Sequence, residues 1–160
     1  MAFILINIGS NLGNRRLNLS RAMRAIGDAF GDFEMSHVVE SQPWGFDSTS
    51  PFLNVGMAFS SDLPPEELLS RLQEIERSIS PAPHRDGEGR YADRVIDIDI
   101  VAIDSIMLDT PLLKLPHPHL EEREFFLRPL EEIAPGWRHP ATGLSASEML
   151  SSLQNKCENS

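Results

Sequence analysis

Asp93-Arg94-Val95-Ile96-Asp97-Ile98-Asp99-Ile100 is the stretch on which the fold turns. Residues 95–103 are rich in β-branched side chains, and acid alternates with isoleucine at period two, the mark of a strand. Strand side chains point alternately to opposite faces, so Ile96, Ile98 and Ile100 share one side and Asp97 and Asp99 the other. The isoleucines need an apolar layer over them. The two carboxylates project side by side, their Cα atoms about 6–7 Å apart. Hard oxygen ligands held that close suit Mg²⁺, which takes one or two carboxylates and leaves positions for substrate phosphates. Taken alone, the same alternation fits a half-buried strand with an acidic, solvated face. Its neighbours decide.

Immediately upstream, residues 81–93 are aperiodic and carry Arg85 and Arg90, and the stretch runs directly into Arg94. A structureless loop of this length in a small domain is either a functional lid or a disordered segment. Before it, Pro64-Pro65-Glu66-Glu67 opens a helix with Pro and acids in the first turn, and Leu68, Leu72, Ile75 and Ile79 form its stripe. Gln73 and Glu76 lie three apart on the flank of that helix. Residues 52–60 read as a strand with Leu53, Val55, Met57 and Phe59 on one face and Phe52, Asn54, Gly56 and Ala58 on the other. Phe52 and Asn54 are therefore expected on the same side of the sheet as Asp97 and Asp99, away from the helices.

Nearer the start, residues 2–8 form an apolar β-rich run that breaks at the turn cluster Gly9-Ser10-Asn11-Leu12-Gly13. Asn14 is placed to cap a helix whose stripe is Leu19, Ala22, Met23, Ile26 and Phe30. No Gly-Lys-Ser/Thr follows the glycines, so this is not a Walker loop. Residues 35–41 read as a weaker strand entering the loop Gln42-Pro43-Trp44-Gly45-Phe46. Downstream, Ser105-Ile106-Met107-Leu108 reads as a hairpin return, and Leu115-Pro116-His117-Pro118-His119 as a rigid loop with surface histidines. Residues 121–132 form a short helical region holding Arg123 and Phe125; residues 145–153 form a last helix, with a frayed tail from about 154.

The order β-α-β-β-α-β predicts an α+β, ferredoxin-like fold in one domain over residues 1–160. Its antiparallel sheet carries helices on one face, with an extra C-terminal hairpin strand and short helices. The other face is expected to be open, lined by loops, and to carry Phe52, Asn54, Asp97 and Asp99.

Composition narrows the partners. The chain has 160 residues and a net charge of −10, which gives no footprint for nucleic acid or an anionic membrane. Apart from Lys114 and Lys156 its basic residues are arginines, suited to bidentate phosphate recognition. The single cysteine, Cys157, excludes a disulfide framework or a Cys-based zinc site. The early apolar run at 2–6 is too short to span a membrane and lacks the basic segment of a signal peptide. A soluble intracellular protein is expected.

With these pieces in order, the chain resembles the 6-hydroxymethyl-7,8-dihydropterin pyrophosphokinases of folate biosynthesis over about residues 3–140. The likeness is carried by Ile8-Gly9-Ser10-Asn11-Leu12-Gly13, residues 41–45, Phe52-Leu53-Asn54, Arg94-Val95-Ile96-Asp97-Ile98-Asp99-Ile100, and Leu115-Pro116-His117 with Arg123 and Phe125. The resemblance implies transfer of the β,γ-diphosphate of ATP to the pterin hydroxymethyl group, releasing AMP. It implies two Mg²⁺ ions on Asp97 and Asp99, and a pterin sandwiched by Phe52 and Phe125. Asn54, Ser41 and the backbone of Gln42, Pro43 and Trp44 would bond the pterin edge. Gln73, Glu76, Tyr91, Arg94, Ile100, His117 and Arg123 fall where the family contacts ATP. The family's Gly-Arg-x-Arg is absent, Tyr91-Ala92-Asp93-Arg94 replaces its Trp-Gly-Pro-Arg, and the segment from Glu76 to Asp97 is longer than usual. Arg85 and Arg90 are the loop arginines left for the missing catalytic pair. Two rivals remain: a ferredoxin-like binding module with an acidic metal-binding face, and a two-carboxylate nuclease, which the negative charge opposes.

Overall fold

The computed structural model describes residues 1–41, 51–80 and 95–158. In chain order its elements are β1 (Ala2–Ser10), α1 (Arg15–Phe30), β2 (Phe33–Met35), β3 (Val39–Ser41), β4 (Phe52–Ser61), α2 (Pro65–Ile79) and β5 (Asp97–Ile103). There follow β6 (Leu108–Asp109), β7 (Lys114–Leu115), a 3-10 turn at Leu120–Glu122, α3 (Glu124–Ile133) and α4 (Ala146–Glu158). The main sheet runs β2-β4-β1-β5, with β3 also paired to β4, and every pairing is antiparallel. This is the ferredoxin-like arrangement expected from the order of elements.

Local chemistry accounts for the elements. Asn14 caps α1, its side chain accepting the Leu17 N–H at 3.1 Å, and Gly31, at φ 87°, ends that helix. Pro65, Glu66 and Glu67 open α2. Ile4, Ile6 and Ile8 of β1, Leu53, Val55, Met57 and Phe59 of β4, and Ile96, Ile98 and Ile100 face one core together with Leu19, Ala22 and Ile26 of α1 and Leu68, Leu72 and Ile75 of α2.

The opposite face differs from expectation. A second core of Leu5, Ala58, Val101, Ala102, Phe126, Leu127, Leu130, Met149 and Leu150 covers it from the side of α3 and α4. The sheet is apolar on both faces along much of its length, and the end bearing Asp97 and Asp99 stays partly exposed.

Three further details depart from the sequence reading. The strand expected at 35–41 is two short ones. The partner sum shifts from Met35↔Met57 to Val39↔Asn54, so residues 36–38 oppose only Val55 and Gly56, a bulge. Ser36 repairs it: its N–H donates to the Gly56 carbonyl and its Oγ accepts the Gly56 N–H, both at 2.9 Å. The hairpin after β5 forms between β6 and β7 as a separate two-stranded sheet. Finally, α4 continues to Glu158, past the position where fraying was expected. No described helix is long and apolar enough to cross a membrane.

Candidate active site

The central strand organises the partly exposed end of the second face. Gly9 of β1 is opposite Asn54 of β4 on one side and Asp97 of β5 on the other; Asn7 is likewise between Gly56 and Asp99. Residues directly opposite share a face, so two rows cross the three strands: Asn54–Gly9–Asp97 and Gly56–Asn7–Asp99. With strands about 4.8 Å apart, the Cα atoms of Asn54 and Asp97 stand about 10 Å from each other. Both aspartates are half-buried while Ile96, Ile98 and Ile100 are buried behind them, as the alternation predicts.

Gly9 belongs to the strand and not to the turn that follows. A Cβ there would lie 3.0 Å from Asn54 Oδ1 and 3.3 Å from the Phe52 ring, so its hydrogen keeps that end of the face uncrowded. Asn54 is buried, and its Nδ2 donates to Ser41 Oγ at 2.7 Å. Its Oδ1 is thereby oriented toward the Gly9 side. Arg15 donates to the Pro51 carbonyl at 2.8 Å, tying α1 to the residue before Phe52.

Phe125 and Arg123 arrive from the start of α3. Phe125 is half-buried; the Arg123 guanidinium carbon is 5.6 Å from the centre of its ring and 5.0 Å from that of Phe126. His117, expected on the surface of a rigid loop or, by the resemblance, against ATP, is half-buried. A bulge at Val101, between the pairs Leu5↔Ala102 and Ile6↔Ile100, frees the Val101 carbonyl to accept the His117 N–H at 2.8 Å. The ring then packs edge-on against Phe126, centroids 4.9 Å apart, with Nε2 3.8 Å from Asp99 Oδ1.

Burial, reinforced by Arg123 and then His119 and opposed by Asp97, pushes His117 from its usual 6.5 down to about 3. The ring is therefore neutral near pH 7, and its approach to Asp99 is not an ion pair. His117 Nδ1 accepts the His119 N–H at 3.1 Å, so the neutral ring carries its proton on Nε2. It offers a donor beside Asp99.

Of the other expected residues, Glu76 is buried on α2, and its Oε2 accepts the Ile98 N–H at 3.2 Å, bracing β5 from its edge. Gln73 is exposed on the same helix. The Ile100 side chain lies in the first core, which leaves its main chain for any nucleotide contact. Gln42, Pro43, Trp44, Arg85, Arg90, Tyr91 and Arg94, with the whole 81–93 loop, lie outside the described residues. Among the described residues no group of three or more His, Cys, Asp or Glu could hold a metal. Two carboxylates alone make a poor cage but a fitting half-site for Mg²⁺, completed by water and phosphate oxygens.

Sequence reasoning passes over Asn7 and assigns Gly9 to the turn. Asn7 was the one polar residue inside an otherwise apolar strand, a signal in itself, because a buried amide needs a partner.

Comparison with known proteins follows the same line. Residues 5–135 match the family model for 7,8-dihydro-6-hydroxymethylpterin-pyrophosphokinase (HPPK). A 2-amino-4-hydroxy-6-hydroxymethyldihydropteridine pyrophosphokinase of Porphyromonas gingivalis is 41% identical over 143 residues, covering 88% of this chain and 95% of that protein. The protein of the same name from Aquifex aeolicus is 36% identical over 140 residues, covering 88% and 85%. A crystal structure of Plasmodium falciparum HPPK-DHPS with pteroate superposes with a TM-score of 0.77 at 11% identity, over 99% of this chain but 43% of that one. That last likeness is one of fold, and this chain spans less than half the length of the larger protein. The chain belongs to the 7,8-dihydro-6-hydroxymethylpterin-pyrophosphokinase family.

Proposed function

We propose that this chain transfers the β,γ-diphosphate of ATP to 6-hydroxymethyl-7,8-dihydropterin at the Asn54–Gly9–Asp97 end of its sheet. The observation that carries the proposal is the crossing of the two rows. An aromatic and amide platform (Phe52, Asn54) and a carboxylate pair (Asp97, Asp99) share one sheet face, separated by a glycine that leaves room. A flat pterin suits stacking between Phe52 and Phe125, with the Asn54 amide on its edge and Ser41 holding that amide.

Asp97 and Asp99 would hold two Mg²⁺ ions, which when bound neutralise phosphate charge and orient the triphosphate. The chain's own residues do the remaining work. Arg123, and from outside the described residues Arg94, Arg85 and Arg90, supply cationic donors to phosphate oxygens. His117 donates from Nε2, and its neutrality adds no charge beside the carboxylates. Gln73, Glu76, Tyr91 and the Ile100 main chain fall to the nucleotide side. The pterin hydroxyl oxygen forms a bond to Pβ while the bond from Pβ to the oxygen bridging Pα breaks. AMP leaves with that oxygen, and the hydroxyl proton passes to solvent. Catalysis of this kind is positioning plus charge neutralisation. We place the protein in the cytoplasm as a monomer.

Chromatography of the nucleotide products tests the reading. AMP formed only in the presence of the pterin is expected. ADP as sole product would mean attack at Pγ, and no pterin-dependent turnover would favour a binding module.

A further inference from the structure

We propose that Asn7 is a positioning residue for the pterin: from the middle of the sheet it fixes the first turn of α3, and with it the Phe125 ring, against the row that carries Asp99. The inference rests on the assignment of Phe125 to the pterin made above.

Asn7 is 3% exposed in a strand whose neighbours on either side are isoleucines. Its Nδ2 donates to the main-chain carbonyl of Phe125 at 3.0 Å, a contact between residues 118 apart in sequence. That carbonyl is available for a definite reason. In an α-helix the carbonyl of residue i accepts the N–H of residue i+4, and for Phe125 that residue is Pro129, inside α3, which has no N–H. Asn7 supplies the donor that Pro129 cannot.

Pro129 is itself seated on the same row. A Cβ at Gly56 would come within 2.7 Å of Pro129 Cβ, and Gly56 is the register partner of Asn7 on the side opposite Asp99. Gly56 admits the proline, Asn7 takes the carbonyl the proline orphans, and Asp99 completes the row. The helix start that presents Phe125 is thus referenced to the metal-binding strand through one side chain. Loss of the amide would leave a buried carbonyl short of a donor and let the first turn shift, which a stacked ligand feels more than the nucleotide does.

The test is Asn7→Leu. Asn7 borders a small void lined also by Gly56, Phe126 and Pro129. Binding of 6-hydroxymethyl-7,8-dihydropterin is measured by calorimetry with Mg²⁺ and a non-hydrolysable ATP analogue, alongside the steady-state KM of each substrate. The pterin Kd and KM are expected to rise about tenfold, the loss expected for one buried hydrogen bond, with the ATP KM, which senses that turn through Arg123, moving less than the pterin KM. The double variant Asn7→Leu/Pro129→Ala restores an N–H to the Phe125 carbonyl and is expected to recover most of the pterin affinity, which a general packing role would not. If Asn7→Leu fails to fold, Asn7→Ser, too short to reach the carbonyl, carries the same comparison. Equal loss for both substrates, or Pro129→Ala deepening the defect, overturns the proposal. Phe125→Leu separates the two readings. Unchanged pterin binding in that variant sinks the site assignment, whereas a defect there with none in Asn7→Leu sinks the role of Asn7 alone.

Discussion

At Gly9 a single hydrogen keeps Asn54 and Phe52 clear of the central strand, and the cost of filling that space can be stated. Asn54 cannot easily swing away, because its Nδ2 is committed to Ser41 Oγ. Gly9→Ala is therefore expected to weaken pterin binding several-fold, through a Cβ 3.0 Å from Asn54 Oδ1, while leaving the fold intact. Unaltered pterin affinity in that variant would remove Gly9 from the site. For the carboxylates, Asp97→Asn and Asp99→Asn should each lower kcat by roughly 10²–10⁴-fold at saturating Mg²⁺ without a matching fall in Tm. Near-normal turnover in both would sink the metal assignment. The aspartates were legible because alternation on a strand needs no tertiary information. His117 enters the sequence reading only through the family resemblance, because its place depends on the Val101 carbonyl and the Phe126 ring, which lie on other elements.

Among elements, bulges and caps separate what periodicity can reveal from what it cannot. The strict pattern 96, 98, 100 would put Ala102 in the first core. Instead the bulge at Val101 sends Ala102 and Val101 to the second core and Ile103 to the first. Residues 101–103 are all apolar, so nothing in their sequence marks the switch. At the start of α4, Ser145-Ala146-Ser147-Glu148 forms a capping box. Ser145 Oγ accepts the Glu148 N–H at 3.2 Å and Glu148 Oε1 accepts the Ser145 N–H at 3.1 Å. Ser145→Ala is expected to cost about 1 kcal/mol in denaturant unfolding. The bonds from Ser145, joined by Arg138, hold the Glu148 carboxyl below its ordinary range. A carboxyl lowered in the folded state stabilises above its unfolded pKa and loses that contribution as pH falls through the folded value. Glu148→Gln should therefore lower Tm at pH 7, and the gap to the wild type should close in acid. A gap independent of pH would contradict this.

For the molecule as a whole, the fold was legible from the order of elements, but its thickness was not. Two amphipathic helices and four strand patterns imply one covered face. The second cover comes from α3 and α4, which the sequence marks only as short helices. Their layer is also what brings Phe125 and Arg123 to the sheet, so the site depends on two helices that lie outside the β-α-β-β-α-β unit. Because the two cores share the same strands, with Leu5 and Ala58 alternating with Ile4 and Met57, they are expected to unfold together. The check is a denaturant titration followed by far-UV circular dichroism and by Trp137 fluorescence in a Trp44→Phe background, since Trp137 packs on the second core. Coincident transitions are expected. Leu127→Ala, a fully buried residue of the second core, should lower stability by about 2–5 kcal/mol and move both curves by the same amount. A fluorescence transition that shifts while the dichroism stays in place would mean that α3 and α4 form a separable layer. In that case pterin binding should fail before the sheet does, because Phe125 leaves with α3 while Asp97 and Asp99 remain on β5.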